Sequence, residues 1–270
     1  MNITFIGGGN MATAMIGGLL KKGWSATAIC VVEIDAGTRA RLERELRVKV
    51  APELNALSAV ADCVVIAVKP QQVREAAHML YPFLGSQLIV SIAAGIRLRD
   101  LSRWLGSYQK IVRVMPNTPA LELAGISGLC AMPAVSPEDR ARAERIMSAV
   151  GTTLWLKREE QMDAITAISG SGPAYVFYFI EALQQAAVDL GFEAADARRL
   201  ALATFAGAVR LAQGSSEDAA TLRARVTSKG GTTERALGVM EADGVSRAIV
   251  RAVRSAAERS RELGEELGRN

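Results

Sequence analysis

The sequence predicts a mixed α/β chain in which a doubly wound sheet is followed by an all-helical region. Up to about residue 157, short apolar runs rich in β-branched residues alternate with stretches of helical period. These runs lack the in-and-out alternation of a half-exposed strand, which is typical of parallel strands covered by helices on both faces. From residue 174 onward we find no convincing strand. We therefore predict one domain over residues 1–157 and a second over residues 158–270.

The strand candidates of the first domain are all short and apolar. They are Ile3–Ile6, Ile29–Val32, Cys63–Val68, Leu88–Ile92, Ile111–Met115, Ile126–Met132 and Thr152–Leu156. Helical patterns fill most of the gaps, for instance Gly37–Leu46, Gln71–Leu80 and Pro137–Val150. Helices between short strands predict crossover connections and therefore a parallel, doubly wound sheet.

The second domain consists of helical segments rich in Ala, Leu and Arg that glycines interrupt. They cover roughly residues 174–190, 196–213, 217–225, 232–242 and 245–267. Residues 174–180 are apolar around the whole helix, and such a helix must be buried against something. One copy of so short a region does not easily bury this surface, so we expect a homodimer formed through these helices.

Composition excludes several classes of protein. The 32 Lys and Arg stand against 28 Asp and Glu without a long run of like charge, so nucleic-acid binding gains little support. Three Cys and one His, His78, exclude a disulfide scaffold and offer no metal-ligand spacing. The uncharged N-terminus is broken by glycines, and its positive charges, Lys21 and Lys22, follow it rather than precede it. We expect a cytoplasmic protein with no membrane partner and no metal.

A glycine-rich turn follows the first strand. Ile6 is succeeded by Gly7-Gly8-Gly9-Asn10-Met11-Ala12, which fits the G-x-G-x-x-A pattern between a strand and a helix. Gly7 suits the tight turn, Gly9 lets the backbone approach a pyrophosphate, and Ala12 allows close helix–strand packing. The alternative is a purely structural turn. The strand–turn–helix context favours a Rossmann-like domain that binds NADPH or NADH.

The residues after the second strand bear on which of the two cofactors binds. Glu33 lies where an acid meets the ribose 2′-hydroxyl of NAD and repels the 2′-phosphate of NADP. Thr38, Arg39 and Arg41 follow closely and offer donors to such a phosphate. A solvated loop carboxylate is the alternative for Glu33. The cofactor preference stays open at this point.

Three further strand ends fall at the carboxyl edge of the predicted sheet, where ligands bind in open α/β folds. Val68-Lys69-Pro70 closes one strand, although Lys69 is alternatively only a surface charge. The small residues of Ile92-Ala93-Ala94 leave room for a flat ring. Asn117 and Thr118, after the next strand, are able to donate hydrogen bonds.

The helical domain contains a second unusual turn. Val226-Thr227-Ser228-Lys229-Gly230-Gly231-Thr232-Thr233 combines hydroxyls and a glycine pair just before a helix. Consecutive backbone N–H groups at the positive end of a helix form an anion nest, whose natural guest is a phosphate or a carboxylate. The alternative is a helix cap preceded by a flexible loop.

The motifs together are more specific than any one of them. Gly7–Ala12, Gly170-Ser171-Gly172-Pro173-Ala174-Tyr175 and Val226–Thr233 occur in this order, with Val68–Pro70 and Met115–Pro119 between them. In this respect essentially the whole chain resembles the pyrroline-5-carboxylate reductase family. The resemblance implies a Rossmann-like domain and a helical substrate-binding domain whose helices interleave in a homodimer, with dimers often assembling into a decamer. The implied reaction is hydride transfer from NAD(P)H to the cyclic imine 1-pyrroline-5-carboxylate, giving L-proline in the last step of proline biosynthesis.

The resemblance also implies roles for single residues. It gives cofactor contacts to Gly8–Met11, Ala67–Pro70 and Ile92–Ala94. When the rest of the first turn, Glu33 and Asn55 are added, the predicted cofactor contacts are Ile6, Gly7, Gly8, Gly9, Asn10, Met11, Glu33, Asn55, Ala67, Val68, Lys69, Pro70, Ile92, Ala93 and Ala94. The substrate contacts are Ser228, Gly230, Gly231, Thr232 and Thr233, with Thr233 as the catalytic residue. Asn55 matches the ribose-contacting Asn of the family only with a slip of one residue. Lys229 stands where the family usually has proline.

Three alternatives share parts of this pattern. A β-hydroxyacid dehydrogenase of the same layout needs a general acid–base lysine, and no lysine occurs between Lys157 and Lys229. A related imine reductase stays open, since an imine nitrogen is basic and arrives already protonated. A non-enzymatic, dinucleotide-sensing scaffold would not need the second anion nest.

Overall fold

The computed structural model describes residues 1–56, 58 and 60–269. Within it the chain divides into two compact units, one of Met1–Ser171 with the C-terminal residues from Ala256, and one of Gly172–Ser255. The predicted domains divide after residue 157, two residues beyond the end of the last strand at Trp155. The boundary between the two compact units lies further along the chain, after Ser171. Residues 161–170 belong to the first unit because they pack against its sheet, where Ile165 covers Gly128.

In the described part of the chain, the first unit contains an eight-stranded sheet with the order β3-β2-β1-β4-β5-β6-β7-β8. The strands are β1 (Ile3–Ile6), β2 (Ile29–Val32), β3 (Lys49–Ala51), β4 (Cys63–Ile66), β5 (Leu88–Ser91), β6 (Ile111–Met115), β7 (Gly125–Ala131) and β8 (Gly151–Trp155). The strand order reverses between β1 and β4, which is the doubly wound arrangement of a Rossmann-like fold. The predicted fold class is confirmed.

The prediction of a purely parallel sheet is wrong for the last two strands. The strands from β3 through β6 pair in parallel, but β7 pairs antiparallel with β6, and β8 then runs parallel to β7. Residues 116–124, which join β6 to β7, are too few for the crossover that parallel strands need. The sequence analysis also missed β3, because this three-residue edge strand begins with the exposed Lys49 and shows no apolar run.

Helices cover both faces of the sheet. They are α1 (Asn10–Lys21), α2 (Ala36–Leu46), α3 (Val73–Leu80), α4 (Leu98–Trp104), α5 (Pro137–Met147) and α6 (Gln161–Ile165). One core includes Phe5, Ile16 and Met147, so α1 and α5 lie on that face. A second core includes Ile66 and Leu80 on the opposite face. Each helix thus buries an apolar side against the sheet, as the alternating pattern predicts.

A π-helical turn, Thr166–Gly170, leads into the helices that end the chain. These are α7 (Gly172–Asp189), α8 (Ala194–Gln213), α9 (Ala219–Arg225), α10 (Thr232–Ala242) and α11 (Val245–Gly268). Their bounds agree with the five predicted helical segments. None of the side chains of α7, all of which the structure describes, is buried, and Phe177 and Tyr178 are 65% and 71% exposed.

No helix among the described residues is long and apolar enough to cross a membrane. The cytoplasmic location stays a prediction.

Candidate active site

The carboxyl ends of four strands meet at one edge of the sheet. Ile6 stands opposite both Val32 and Ile66, and Ile66 stands opposite Ser91. One residue further along these strands lie Gly7, Glu33, Ala67 and Ile92. The register therefore brings together four of the predicted cofactor segments.

Gly7 and Gly8 are packed on one side, whereas Gly9 is open. Gly7 has a φ of +99°, and a Cβ added there would lie 2.8 Å from the carbonyl oxygen of Ala67. A Cβ on Gly8 would lie 2.6 Å from the Leu42 Cδ1 atom, whereas one on Gly9 would meet nothing within 4 Å. Open space at Gly9 is what a pyrophosphate requires in order to approach the backbone.

The N-terminus of α1 adds hydrogen-bond donors beside this space. Gly9 is its N-cap residue and supplies no side-chain cap, so the first N–H groups of the helix have no intrahelical acceptor. Asn10 is exposed and Met11 is half-buried. Free N–H groups and the helix dipole favour an anion here, and the turn therefore fits a dinucleotide cofactor.

Glu33 is held at this turn by both carboxylate oxygens. The Gly8 N–H donates to Oε2 over 2.7 Å, and the Asp35 N–H donates to Oε1 over 2.9 Å. The Arg39 guanidinium donates to the carbonyl oxygens of Glu33 and Ile34 over 2.7 and 2.8 Å. A carboxylate and a cation thus lie on the same turn, where the adenosine ribose is predicted to bind.

The other two predicted phosphate donors have partners within the fold. The Thr38 N–H donates to Asp35 Oδ1 over 2.7 Å, and the hydrogen bonds from Thr38 hold the pKa of Asp35 below its ordinary value. Arg41 donates to the Thr13 hydroxyl over 3.3 Å and lies 3.8 Å from Glu45. Of the two arginines, Arg39 is the one whose side chain contacts the backbone of the Glu33 turn, whereas Arg41 contacts Thr13 and Glu45.

The remaining predicted cofactor segments differ in burial. Ala67, Val68 and Pro70 are half-buried and Lys69 is exposed, just before a short 3₁₀ turn and α3. Residues 92–94 begin directly after β5 and are buried or half-buried, and they end at Gly95, whose φ is +77°. Both segments lie at the same edge as the nucleotide turn, and Ala67, Ala93 and Ala94 present small side chains there.

Asn55 is not brought together with the other predicted cofactor residues. It lines a cavity with Asn2 and Ile29, at the amino ends of β1 and β2. Its Oδ1 atom accepts a 2.9 Å hydrogen bond from the Ser58 N–H, and the Thr4 hydroxyl donates to the Ser58 carbonyl over 2.6 Å. These bonds shape the connection toward β4, and a ribose contact by Asn55 stays a prediction.

The second anion turn lies at the start of α10. Gly230 has a φ of +73°, and its N–H donates to Glu234 Oε2 over 2.7 Å. The Gly231 N–H donates to the Ser228 carbonyl over 3.0 Å. Both glycine N–H groups, which were expected to bind the guest anion, are thus used within the turn.

The donors for an anion lie at the next residues instead. Gly231 is the N-cap of α10 and provides no side-chain cap, so the N–H groups of Thr232 and Thr233 have no intrahelical acceptor. The Thr233 side chain is half-buried and that of Thr232 is exposed. The sequence analysis gave Glu234 no role; its carboxylate accepts from Gly230, one residue before the N-cap, and so differs from the capping box, in which Ser or Thr is the N-cap.

The Asn117 side chain makes two hydrogen bonds within the first unit. Its Oδ1 accepts from the Ile126 N–H over 2.9 Å, and its Nδ2 donates to the Ser169 carbonyl over 3.1 Å. The amide thus ties the β6–β7 connection to the π-helical turn.

Other titratable groups lie outside this chemistry. Among the residues that the structure describes, no group of three or more His, Cys, Asp or Glu side chains could hold a metal ion. His78 is exposed on α3. Cys63 is fully buried, and burial raises the pKa of its thiol, so it stays protonated at neutral pH.

The carboxyl edge of the sheet fits a dinucleotide, and the chain continues into a separate helical unit. These two features define the class of two-domain oxidoreductases that use a nicotinamide cofactor. Residues 2–95 match the sequence pattern described as NADP oxidoreductase coenzyme F420-dependent. Residues 159–263 match the pattern described as pyrroline-5-carboxylate reductase dimerisation. The chain belongs to the pyrroline-5-carboxylate reductase family.

Comparisons over the full length agree with this assignment. The pyrroline-5-carboxylate reductase of Pseudomonas aeruginosa is 45% identical over 267 residues, which are 98% of each chain. The structure of the Coxiella burnetii pyrroline-5-carboxylate reductase has a TM-score of 0.92 at 39% identity, covering 97% of this chain and 98% of that one. The Plasmodium falciparum pyrroline carboxylate reductase, solved with NADP bound, has a TM-score of 0.87 at 30% identity, covering 98% of each chain. The predicted family is confirmed, and the alternatives gain no support.

Proposed function

We propose that the protein catalyses the NAD(P)H-dependent reduction of 1-pyrroline-5-carboxylate to L-proline, the last step of proline biosynthesis. The observation that carries this proposal is the turn at the start of α10, where the Thr232 and Thr233 N–H groups are left for a carboxylate beside the Thr233 hydroxyl. The names of the full-length relatives support the same reaction.

The first unit supplies the residues that would hold the cofactor. The turn at Gly7–Gly9 and the N-terminus of α1 would bind the pyrophosphate, and Glu33 with Arg39 would face the adenosine ribose. The small residues Ala93 and Ala94 would leave space for the nicotinamide ring, and residues 67–70 would contact the cofactor beside them. When bound, the cofactor supplies a hydride to the imine carbon, which becomes carbon 5 of proline.

The second unit would hold the substrate. The Thr232 and Thr233 N–H groups bind its carboxylate, where both the donors and the helix dipole favour an anion. The ring nitrogen is two bonds from the carboxyl carbon, so the Thr233 hydroxyl is within reach of it. As the imine becomes an amine, this hydroxyl is able to donate or accept a hydrogen bond at the nitrogen. Threonine is too weak an acid for full proton transfer, and the imine brings its own proton.

We also propose that the working form is a homodimer built through residues 174–270. Residues 159–263 match the dimerisation domain of the family. Tyr178, Ile249 and Val253 line an apolar cavity of about 390 Å³, and α7 leaves large apolar side chains exposed. A second copy of these helices would cover such a surface, which soluble monomers rarely expose. A larger assembly of these dimers, up to a decamer, extends the same proposal.

The reaction is tested by mixing the protein with 1-pyrroline-5-carboxylate and either NADPH or NADH while following the nicotinamide absorbance. We expect oxidation of the cofactor together with formation of proline. In a parallel assay with a β-hydroxy acid and NADP⁺ or NAD⁺ as the hydride acceptor, oxidation of that acid by a protein that leaves pyrroline-5-carboxylate unchanged would instead support the dehydrogenase alternative. Cofactor binding without any turnover would support the scaffold.

A further inference from the structure

The C-terminal part of α11 packs closely on the loop that follows β5. Gly264 is buried, and a Cβ added to it would lie 3.2 Å from both the Gly95 carbonyl oxygen and the Arg97 Nε atom. A Cβ added to Gly95 would lie 3.0 Å from Leu267 Cδ1. Helix and loop therefore approach so closely that each contributes a glycine at the contact.

Polar contacts hold the same pair of elements together. Arg97 Nη2 donates to the Arg261 carbonyl over 3.2 Å and lies 3.6 Å from Glu265. Arg103, on α4, donates to the Gly268 carbonyl over 2.8 Å. This carbonyl lies at the end of α11, where backbone acceptors have no partner within the helix.

A third contact lies one turn before Gly264. The Ser260 hydroxyl, which is 4% exposed, lies 2.7 Å from Asp163 Oδ1. Ser260, Gly264 and Gly268 are four residues apart and so share one face of the helix. From Ser260 to Gly268 this face contacts other elements of the first unit.

We infer that Gly264 is a positioning residue for the cofactor, because it sets the conformation of the loop that carries Ile92, Ala93 and Ala94. The inference rests on the proposed function, in which these three residues bind the nicotinamide cofactor. A contact of 3.2 Å gives way only if a neighbour moves by a few tenths of an ångström. A binding site holds its groups within about 0.5 Å of the productive geometry, so a shift of a few tenths of an ångström weakens cofactor binding without abolishing it.

The test is Gly264→Ala, compared with Gly17→Ala as a matched control. Gly17 lies within α1, and a Cβ there would meet nothing within 4 Å, so both variants gain the same helix propensity. For Gly264→Ala we expect the Kd and KM for NADPH and NADH to rise by between about threefold and thirtyfold. The KM for pyrroline-5-carboxylate and kcat at saturating cofactor should change by less than about twofold. Gly17→Ala should behave like the parent protein.

A purely structural role of Gly264 predicts a different result. Thermal stability would then fall while the folded Gly264→Ala protein bound cofactor with the parent Kd, and this outcome overturns the inference. A parent protein that binds neither dinucleotide overturns the proposed function, and the inference with it.

A second variant decides the question if Gly264→Ala does not fold. Arg97→Gln removes the ion pair with Glu265 without adding bulk, and Arg145→Gln, at an exposed position on α5, is its control. We expect the cofactor Kd to rise in Arg97→Gln and to stay unchanged in Arg145→Gln. An unchanged Kd in a folded Arg97→Gln protein overturns the inference.

Discussion

The Gly8 N–H donates a 2.7 Å hydrogen bond to the Glu33 carboxylate, so the acidic residue after β2 is attached to the nucleotide turn itself. Arg39 holds the carbonyl groups of the same turn. A negative and a positive side chain therefore both lie where the 2′ position of the adenosine ribose is expected. The balance between them decides whether a 2′-phosphate is repelled or attracted.

Removing the negative charge tests this balance. In Glu33→Gln we expect the ratio of kcat/KM for NADPH to that for NADH to rise about tenfold, since one repulsive contact of about 1.4 kcal/mol is lost. Steady-state kinetics with each cofactor give the ratio.

Removing the positive charge of Arg39 tests the same balance in the opposite direction. Arg39→Gln should lower the NADPH-to-NADH ratio because it removes the positive charge next to the phosphate. If both variants keep the parent ratio, the Glu33 turn does not contact the ribose.

The open space at Gly9 gives a test of dinucleotide binding. Gly9→Val should abolish NAD(P)H binding because the side chain would fill the space that the pyrophosphate needs. The fold should survive, since an added Cβ meets nothing within 4 Å and a poorer N-cap residue costs only about 1 kcal/mol. Gly85→Val, in an exposed loop, is the control. Titration of cofactor fluorescence measures binding, and parent affinity in a folded Gly9→Val protein would refute the site.

Thr233 is tested by removing only its hydroxyl. Losing a hydrogen bond to a buried group costs about 1–3 kcal/mol, so Thr233→Val should lower kcat by between about fivefold and about 150-fold. Cofactor affinity should hardly change, because the backbone donors remain. Thr152→Val, at an exposed position on β8 away from this turn, is the control and should keep the parent activity. A parent rate in Thr233→Val would show that Thr233 is only a helix-start residue.

The homodimer is tested by sedimentation. The parent protein should sediment as a dimer or a larger assembly at micromolar concentration. Phe177→Asp places a charge on the exposed apolar surface of α7 and should shift the protein toward monomer. Leu121 is 52% exposed in the first unit, and Leu121→Asp should leave the assembly unchanged. A stable monomer of the parent chain, 28.7 kDa, would contradict the proposal.

Local sequence signals explain which parts of the fold could be predicted. The bounds of β1, β2 and β6 agree with the sequence analysis because each is a β-branched apolar run with a clear end. β3 has no such run, since it lies at the sheet edge and exposes Lys49. The direction of β7 depends on the length of the preceding connection rather than on its own residues.

In the candidate site too, some features follow from local sequence signals and others do not. Gly7 and Gly9 were predictable because a tight turn and a close approach require glycine at set positions. The use of the Gly230 N–H by Glu234 depends on a side-chain conformation, which spacing alone does not specify. The contact between Gly95 and Gly264 joins residues far apart in the chain, and no local pattern marks it.

The most direct test of the central claim is isotope transfer. The protein is incubated with 1-pyrroline-5-carboxylate and NADPH or NADH that carries deuterium at both C4 positions of the nicotinamide, and the product is examined by mass spectrometry and NMR. The proposed hydride transfer predicts L-proline with one deuterium, bound to carbon 5. Absence of proline, or proline without deuterium at carbon 5, would contradict it.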